Sequence, residues 1–305
     1  MTPRKIELFV PAITPFLEDG TLDTPRFVAH AKALLNNGAH GLAPFGTTSE
    51  ATSLTLTERM TALEALVDAG VSTNQLIPGT GCTSIADTVT LSAHATTLGC
   101  RGVLMLPPFY YKGVPEDGVY NFYAGVIEAV AETTPGLRVY LYHIPQMSGV
   151  PISLPLIERL LARYPNVIAG LKDSSGSWDN TKSVIEAFPT IDTYTASEAL
   201  IPENVAAGGA GCISASSNVN ASGIRRLIDG LGSADEADLH KQVSGVRKIF
   251  ESLPLIPSIK AAVAVQKGDF AYAIVRPPFV ALDTDTDTPN GAAIAEAVRL
   301  AGRQE

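Results

Sequence analysis

Val167-Ile168-Ala169-Gly170-Leu171-Lys172 is an apolar run ending on a single amine, and Asp173-Ser174-Ser175-Gly176 turns the chain directly afterwards. A short, nearly continuous apolar run bounded by turn residues reads as a strand buried on both faces of a parallel sheet. Lys172 then stands where such a strand opens onto its loop. A lysine ammonium is strongly hydrated, so burying it lowers its pKa and frees the lone pair to attack a carbonyl carbon. A strand-end lysine can equally lay its stem on apolar surface and keep its head in water. The rest of the chain decides between the two.

Moving outward, the same unit recurs. Strand-like segments at Leu8–Pro15, Gly41–Phe45, Gln75–Gly79, Gly102–Leu106, Arg138–His143, Val167–Lys172, Thr193–Ser197 and Gly211–Ala215 alternate with amphipathic stretches near 24–37, 57–70, 84–98, 116–133, 154–163, 178–187, 199–207 and 219–230. Helix starts carry Thr57 with Glu58, Ser84 before Ile85, and Pro155 after Ser153. Eight such units in about 230 residues predict an α/β chain folded as a (β/α)8 TIM barrel. A doubly wound sheet would carry a Gly-x-Gly-x-x-Gly turn after its first strand, and Pro11-Ala12-Ile13-Thr14-Pro15 is not one. The barrel domain is expected over 1–230. A C-terminal helical segment follows over 231–305, with helices at 233–252, 258–267 and 291–302 and a solvated loop at the Asp283-Thr284-Asp285-Thr286-Asp287-Thr288 tract. This appendage reads as serving packing or oligomer contacts, not chemistry. Gly208-Gly209-Ala210-Gly211 precedes the last strand, on the face opposite the strand ends, and predicts a tight helix-to-strand turn instead of a phosphate cradle.

The composition suits a compact enzyme. The chain has 305 residues, 46% apolar and 17% charged, with a net charge of -9. That charge argues against nucleic-acid binding, which needs a basic stripe. An anionic substrate would need a local cationic or amide-lined pocket. Cys82, Cys100 and Cys212 show no paired spacing and read as core residues in a reducing compartment. The N-terminus has no continuous apolar stretch like a signal peptide, and no run elsewhere approaches membrane-spanning length, so a cytoplasmic location is expected. His30, His40, His94, His143 and His240 lack His-x-His or His-Glu-x-x-His spacing, and no metal or other cofactor is expected.

In a (β/α)8 barrel, chemistry sits at the C-terminal strand ends. Those ends read Gly46-Thr47-Thr48-Ser49-Glu50, Gly79-Thr80-Gly81, Pro107-Pro108-Phe109-Tyr110-Tyr111-Lys112, Tyr142-His143-Ile144-Pro145 and Lys172. The hydroxyls and loop amides of the first suit a carboxylate. Taken singly, turn threonines bond their own backbone and a strand-end tyrosine packs half-buried. His143, alternating with Tyr142, is expected to pack outward against a helix. Collected at one end of one barrel, a lysine, tyrosines and a hydroxyl-rich loop point to amine catalysis.

With these motifs in order over roughly residues 6–280, the chain resembles the dihydrodipicolinate synthase / N-acetylneuraminate lyase superfamily of pyruvate-handling Schiff-base enzymes. The resemblance implies that Lys172 forms an imine with the C2 carbonyl of a 2-oxo acid, pyruvate, whose second partner is an aldehyde. It implies that Tyr142 shuttles protons, that Thr47 and Thr48 with nearby amides hold the carboxylate, and that Ile213 lines the pocket floor. It implies a homo-oligomer, dimer or tetramer, in which Tyr110 reaches a neighbouring subunit's site to complete a relay with Thr47 and Tyr142. Three departures narrow the substrate. Met147 stands where the synthases supply an arginine for a second carboxylate. Ser49 replaces a usual glycine, and His143 a usual asparagine. Glu198 falls where lyase members bind substrate hydroxyls, although an acid opening a helix explains it equally well. The reading is an aldolase or lyase acting on a hydroxylated 2-oxo acid of the N-acetylneuraminate or 2-keto-3-deoxy sugar acid type. A 4-hydroxy-tetrahydrodipicolinate synthase, a keto-deoxy sugar acid dehydratase and a pyruvate-sensing barrel without turnover are the alternatives.

Overall fold

The computed structural model describes residues 4–302. Seven strands, β1 (Glu7–Val10), β2 (Gly41–Leu42), β3 (Val103–Met105), β4 (Val139–His143), β5 (Ile168–Asp173), β6 (Asp192–Thr195) and β7 (Gly211–Ile213), form one curled sheet in the order β2-β1-β7-β6-β5-β4-β3. Every pairing in it is parallel. Helices follow the strands as the apolar periodicity requires, including Thr24–Asn36, Ile85–Thr97, Glu116–Thr133, Leu154–Arg163, Trp178–Ala187 and Ser217–Asp229.

The expected strand at Gln75–Gly79 does not form a ladder. Residues 76–80 nevertheless stand between the two edge strands. The N–H groups of Ile77 and Gly79 donate to Leu42 O (2.9 Å) and Pro44 O (2.7 Å) on one side, and Leu104 N–H donates to Pro78 O (2.9 Å) on the other. The reason is local. Pro78 has no N–H to extend the pairing toward β3, and the Leu76 N–H closes the preceding turn on Thr73 O at 3.0 Å. A second correction concerns the helix Leu56–Asp68. Its N-cap is Thr55, not Thr57, locked by a reciprocal pair of bonds with Glu58.

Alternation divides each strand's side chains between two cores. Leu8, Val10, Val103, Met105, Val139 and Leu141 face the helices in the main outer cluster. Phe9, Ala43, Ile77, Leu104, Tyr140, Tyr142, Tyr194 and Ile213 fill the inside of the curl. Gly208 (φ +95°) and Gly211 (φ +122°) form the tight turn into β7.

The C-terminal helices Glu236–Glu251, Leu255–Lys267 and Pro289–Ala301 build a further cluster that includes Ile13, Ala215 and Val219 near the ends of β1 and β7. They therefore pack over the end of the sheet that carries the site, closer to it than an appendage for packing alone would lie. Among the described residues, no helix is long and apolar enough to cross a membrane.

Candidate active site

Strand register builds the centre of the site. Tyr142 on β4 lies beside Lys172 on β5, and the Lys172 Nζ sits 4.3 Å from the centroid of the Tyr142 ring. Lys172 is 5% exposed, so it does not hold its head in bulk water. Its Nζ rests on an aromatic face and makes no ion pair among the described residues. From the other side the Tyr142 hydroxyl shares a 3.1 Å hydrogen bond with the Thr47 hydroxyl. Lysine, phenol and threonine thus form a connected row from β5 through β4 to the loop after β2.

The strand end is held by its outward face. Asp173 Oδ1 accepts from Ser175 N–H at 2.8 Å, and Oδ2 accepts from Asn180 Nδ2 (2.9 Å) and Thr181 Oγ1 (2.7 Å), which ties the 173–181 turn to the helix behind it. His143 is buried on the outer face and accepts the Ile152 N–H at Nδ1, 3.0 Å. Burial lowers its pKa, with Asp173 opposing.

The Gly46–Glu50 loop is bracketed by two strained residues, Phe45 (φ +60°) and Glu50 (φ +56°), both left-handed without being glycine. Ser49 anchors it by donating to Ala12 O at 2.6 Å, while Thr14 Oγ1 donates to Ser49 O at 2.8 Å. Glu50 is fixed by a buried lysine: Lys260 Nζ donates to Oε1 at 2.6 Å and to Thr14 O at 2.8 Å, and the Arg276 N–H donates to Oε2 at 2.9 Å. Burial pulls the Lys260 pKa down to about 8 against the attraction of Glu50. The N–H groups of Thr47 and Thr48 find no acceptor among the described residues. Two such amides beside two hydroxyls are a donor set suited to a carboxylate. Neither Lys260 nor the use of Glu50 was foreseen. The available signal was a lone lysine inside the apolar Leu255–Val265 stretch.

A cavity of about 260 Å³ opens above this row, lined by Gly46, Thr47, Tyr142 and Met147 among others, and by Ile256 and Phe279 from the C-terminal segment. Lys172 is not among the residues lining it; its Nζ rests on the ring of Tyr142, which is. Among the lining residues, backbones approach closely: a Cβ on Gly79 would come within 2.2 Å of Phe45 O, and one on Gly81 within 2.3 Å of Leu106 N. Thr48 is buried within the loop and Ile213 within the interior cluster that also holds Tyr142. Tyr110 lies apart, 73% exposed, its ring edge-on to Tyr111 at 5.3 Å. Glu198 does not face the cavity. It is wholly buried and accepts bonds from Ser214 Oγ and Ser216 Oγ, with Arg247 Nη1 3.6 Å away. Its oxygens are committed to the protein. Among the described residues, no group of three or more His, Cys, Asp or Glu side chains is placed to hold a metal ion.

The chain matches the dihydrodipicolinate synthetase family over residues 5–297. It is 34% identical over 275 residues to an uncharacterized DapA-like lyase of Chloroflexus aurantiacus, covering 90% of each chain. Among solved structures, dihydrodipicolinate synthase from Agrobacterium tumefaciens superposes with a TM-score of 0.85 at 29% identity, covering 97% of this chain and 98% of that one. A prophage protein of the same family from E. coli K12, solved in complex with pyruvate, superposes with a TM-score of 0.84 at 26% identity, covering 97% of both chains. Sequence and architecture therefore agree along nearly the whole length, and the chain belongs to the dihydrodipicolinate synthetase family of lyases.

Proposed function

We propose that the chain is a class I, pyruvate-type aldolase or lyase in which Lys172 is the Schiff-base nucleophile. The observation that carries this reading is the buried Lys172 amine held on the Tyr142 ring, with the phenol hydrogen-bonded to Thr47. The Lys172 Nζ adds to the C2 carbonyl of a 2-oxo acid, and the carbinolamine loses water to leave a protonated imine. Tyr142 delivers the proton that departs with that water. The substrate carboxylate rests on the Thr47 and Thr48 hydroxyls and amides. In the cleavage direction Tyr142 removes the C4 hydroxyl proton, the C3–C4 bond breaks toward the imine, and the aldehyde leaves from the resulting enamine. The pyruvate seen on the E. coli relative supports a 2-oxo acid of this kind.

The sheet is read as a closed (β/α)8 barrel over 1–230, with residues 76–80 as its eighth stave and 231–305 as the helical segment across its mouth. Exposed Tyr110 is assigned to a neighbouring subunit's relay in a dimer or tetramer. Three unpaired cysteines fit a cytoplasmic enzyme. Met147 puts no charge where a synthase would grip a second carboxylate, which counts against aspartate semialdehyde as partner. The sealed Glu198 carboxylate leaves the hydroxylated partner expected from the sequence without its acid. Incubation with pyruvate and borohydride tests the mechanism. A mass gain on the peptide containing Lys172 is expected; no gain, or a gain on another lysine, ends it.

A further inference from the structure

Beyond the Thr47–Tyr142 pair the cavity is walled by Leu106, Phe109, Ile144, Met147, Ile256 and Phe279. Of the polar side chains beyond that pair, Glu50 and Ser148 are already bonded within the protein. Glu50 is the single charged residue among those lining it, and its two oxygens are taken by Lys260 and the Arg276 N–H. Ser148 Oγ donates to Val150 O at 3.0 Å and accepts from Val150 N–H at 3.2 Å. The ammonium of Lys112, three residues after Phe109, is bonded to Phe109 O and, at 2.6 Å, to Ser148 O. Thr52 alone offers a hydroxyl there with no partner among the described residues.

We infer that the aldehyde partner carries an apolar, alkyl or aryl, substituent. This rests on the Schiff-base reading above, which assigns the polar row of Lys172, Tyr142 and Thr47 to the 2-oxo acid. A polyhydroxylated chain entering the outer cavity would surrender hydrogen bonds to water and find Thr52 in exchange. A second carboxylate would meet no free cation among the described residues lining the cavity. An apolar group loses nothing on desolvation and covers six apolar side chains. This is the opposite of the hydroxylated partner suggested by sequence resemblance.

The test is pyruvate condensation with four aldehydes: benzaldehyde, 3-methylbutanal, glyceraldehyde and succinic semialdehyde. The two apolar aldehydes are expected to show kcat/KM about tenfold or more above the other two. The pyruvate and borohydride labelling of Lys172 is run on the same preparation. Labelling with equal or reversed preference overturns this inference and leaves the mechanism standing, whereas no labelling overturns the mechanism and the inference with it. Met147→Arg, at a 59% exposed position that can accept the larger side chain, provides the second arm. It should move the succinic semialdehyde to benzaldehyde ratio upward by about tenfold. An unchanged ratio means the outer wall does not select the partner.

Discussion

The two ends of the curled sheet treat buried polar groups in opposite ways. At the end where β1 begins, Arg101 grips Glu7 with two bonds, Nη1 to Oε1 at 2.9 Å and Nη2 to Oε2 at 2.7 Å. Tyr194 donates to the same carboxylate at 2.9 Å, and Arg101 Nε donates to the Tyr140 hydroxyl at 3.2 Å. There the Glu7 and Arg101 charges face each other, and the Tyr140 and Tyr194 hydroxyls both have partners. Two residues further along β4, Tyr142 faces the opposite end, where Lys172 has a ring beside it in place of a carboxylate and the Thr47 and Thr48 amides have no acceptor among the described residues. A satisfied network rigidifies a core, while an unsatisfied one is retained where a ligand completes it. On the Schiff-base reading proposed above, the same strand serves stability at one end and chemistry at the other.

Removing the amine should have the largest effect. Lys172→Met keeps the apolar stem and deletes the nucleophile, so turnover should fall by at least about 10⁴-fold and the pyruvate adduct should vanish. Because no counter-charge is stranded, the melting temperature should be no lower than that of the wild type. A large drop in thermal stability would mean that Lys172 belongs with the structural end. Tyr142→Phe comes next. The ring that carries the lysine remains while the proton carrier is lost, so kcat should drop by roughly 10²–10⁴-fold. The borohydride adduct should still form, more slowly. An unchanged kcat would move the proton transfer to another group.

Much of this contrast was legible in the residues. Apolar runs ending in Tyr142-His143 and in Lys172 placed those side chains on neighbouring strand ends, because parallel β-α units put consecutive strands side by side. Alternation also sent His143 outward. What stayed hidden is what depends on distant sequence. The Lys260–Glu50 bond joins residues 210 positions apart, and no local pattern announces it. Ile256 and Phe279 reach the cavity only because the last helices fold across the strand ends. The resemblance makes Glu198 a substrate acid, with an acid opening a helix as the equal alternative; two serines following β7 and an arginine from the Glu236–Glu251 helix enclose it. Pro78 showed in the sequence, yet its consequence depended on which neighbour its missing N–H would have faced.

Lys260 tests whether the loop of the chemical end is held by the same full satisfaction seen at the other end. Lys260→Met strands the Glu50 carboxylate in a buried site, which should cost about 3 kcal/mol at pH 7 and raise KM for pyruvate through the displaced Thr47–Thr48 loop. The pH dependence has a definite sign. Unfolded, this lysine keeps its proton up to about 10.5, whereas in the fold it releases it at about 8. Between those values the unfolded chain binds more protons, so stability rises with pH. The wild type minus variant difference in denaturation free energy should therefore grow from pH 8 toward 10.5. A flat difference would mean that the ammonium is not buried as described.

Glu7→Gln should have the smallest effect and should confine it to stability. Desolvation pushes the Glu7 carboxyl up, but bonds from Arg101 and Tyr194 outweigh it and hold the pKa below 4.5. A carboxylate lowered in this way contributes stability above its unfolded value, and that contribution is lost as pH falls through the folded one. Part of the pair meets solvent, with the Arg101 side chain 25% exposed, which limits the cost of Glu7→Gln to about 1–2 kcal/mol at pH 7. As pH falls below 4.5 and through the lowered folded-state pKa, the two proteins should melt progressively closer together, because the wild-type carboxyl then protonates as well. Turnover should stay within about twofold, since Tyr194 and Arg101 keep their places at the far end of the curl from Lys172. A tenfold loss of kcat without a change in stability would show that the two ends are coupled through Tyr140 and Tyr142 on β4, and the division between them would fail.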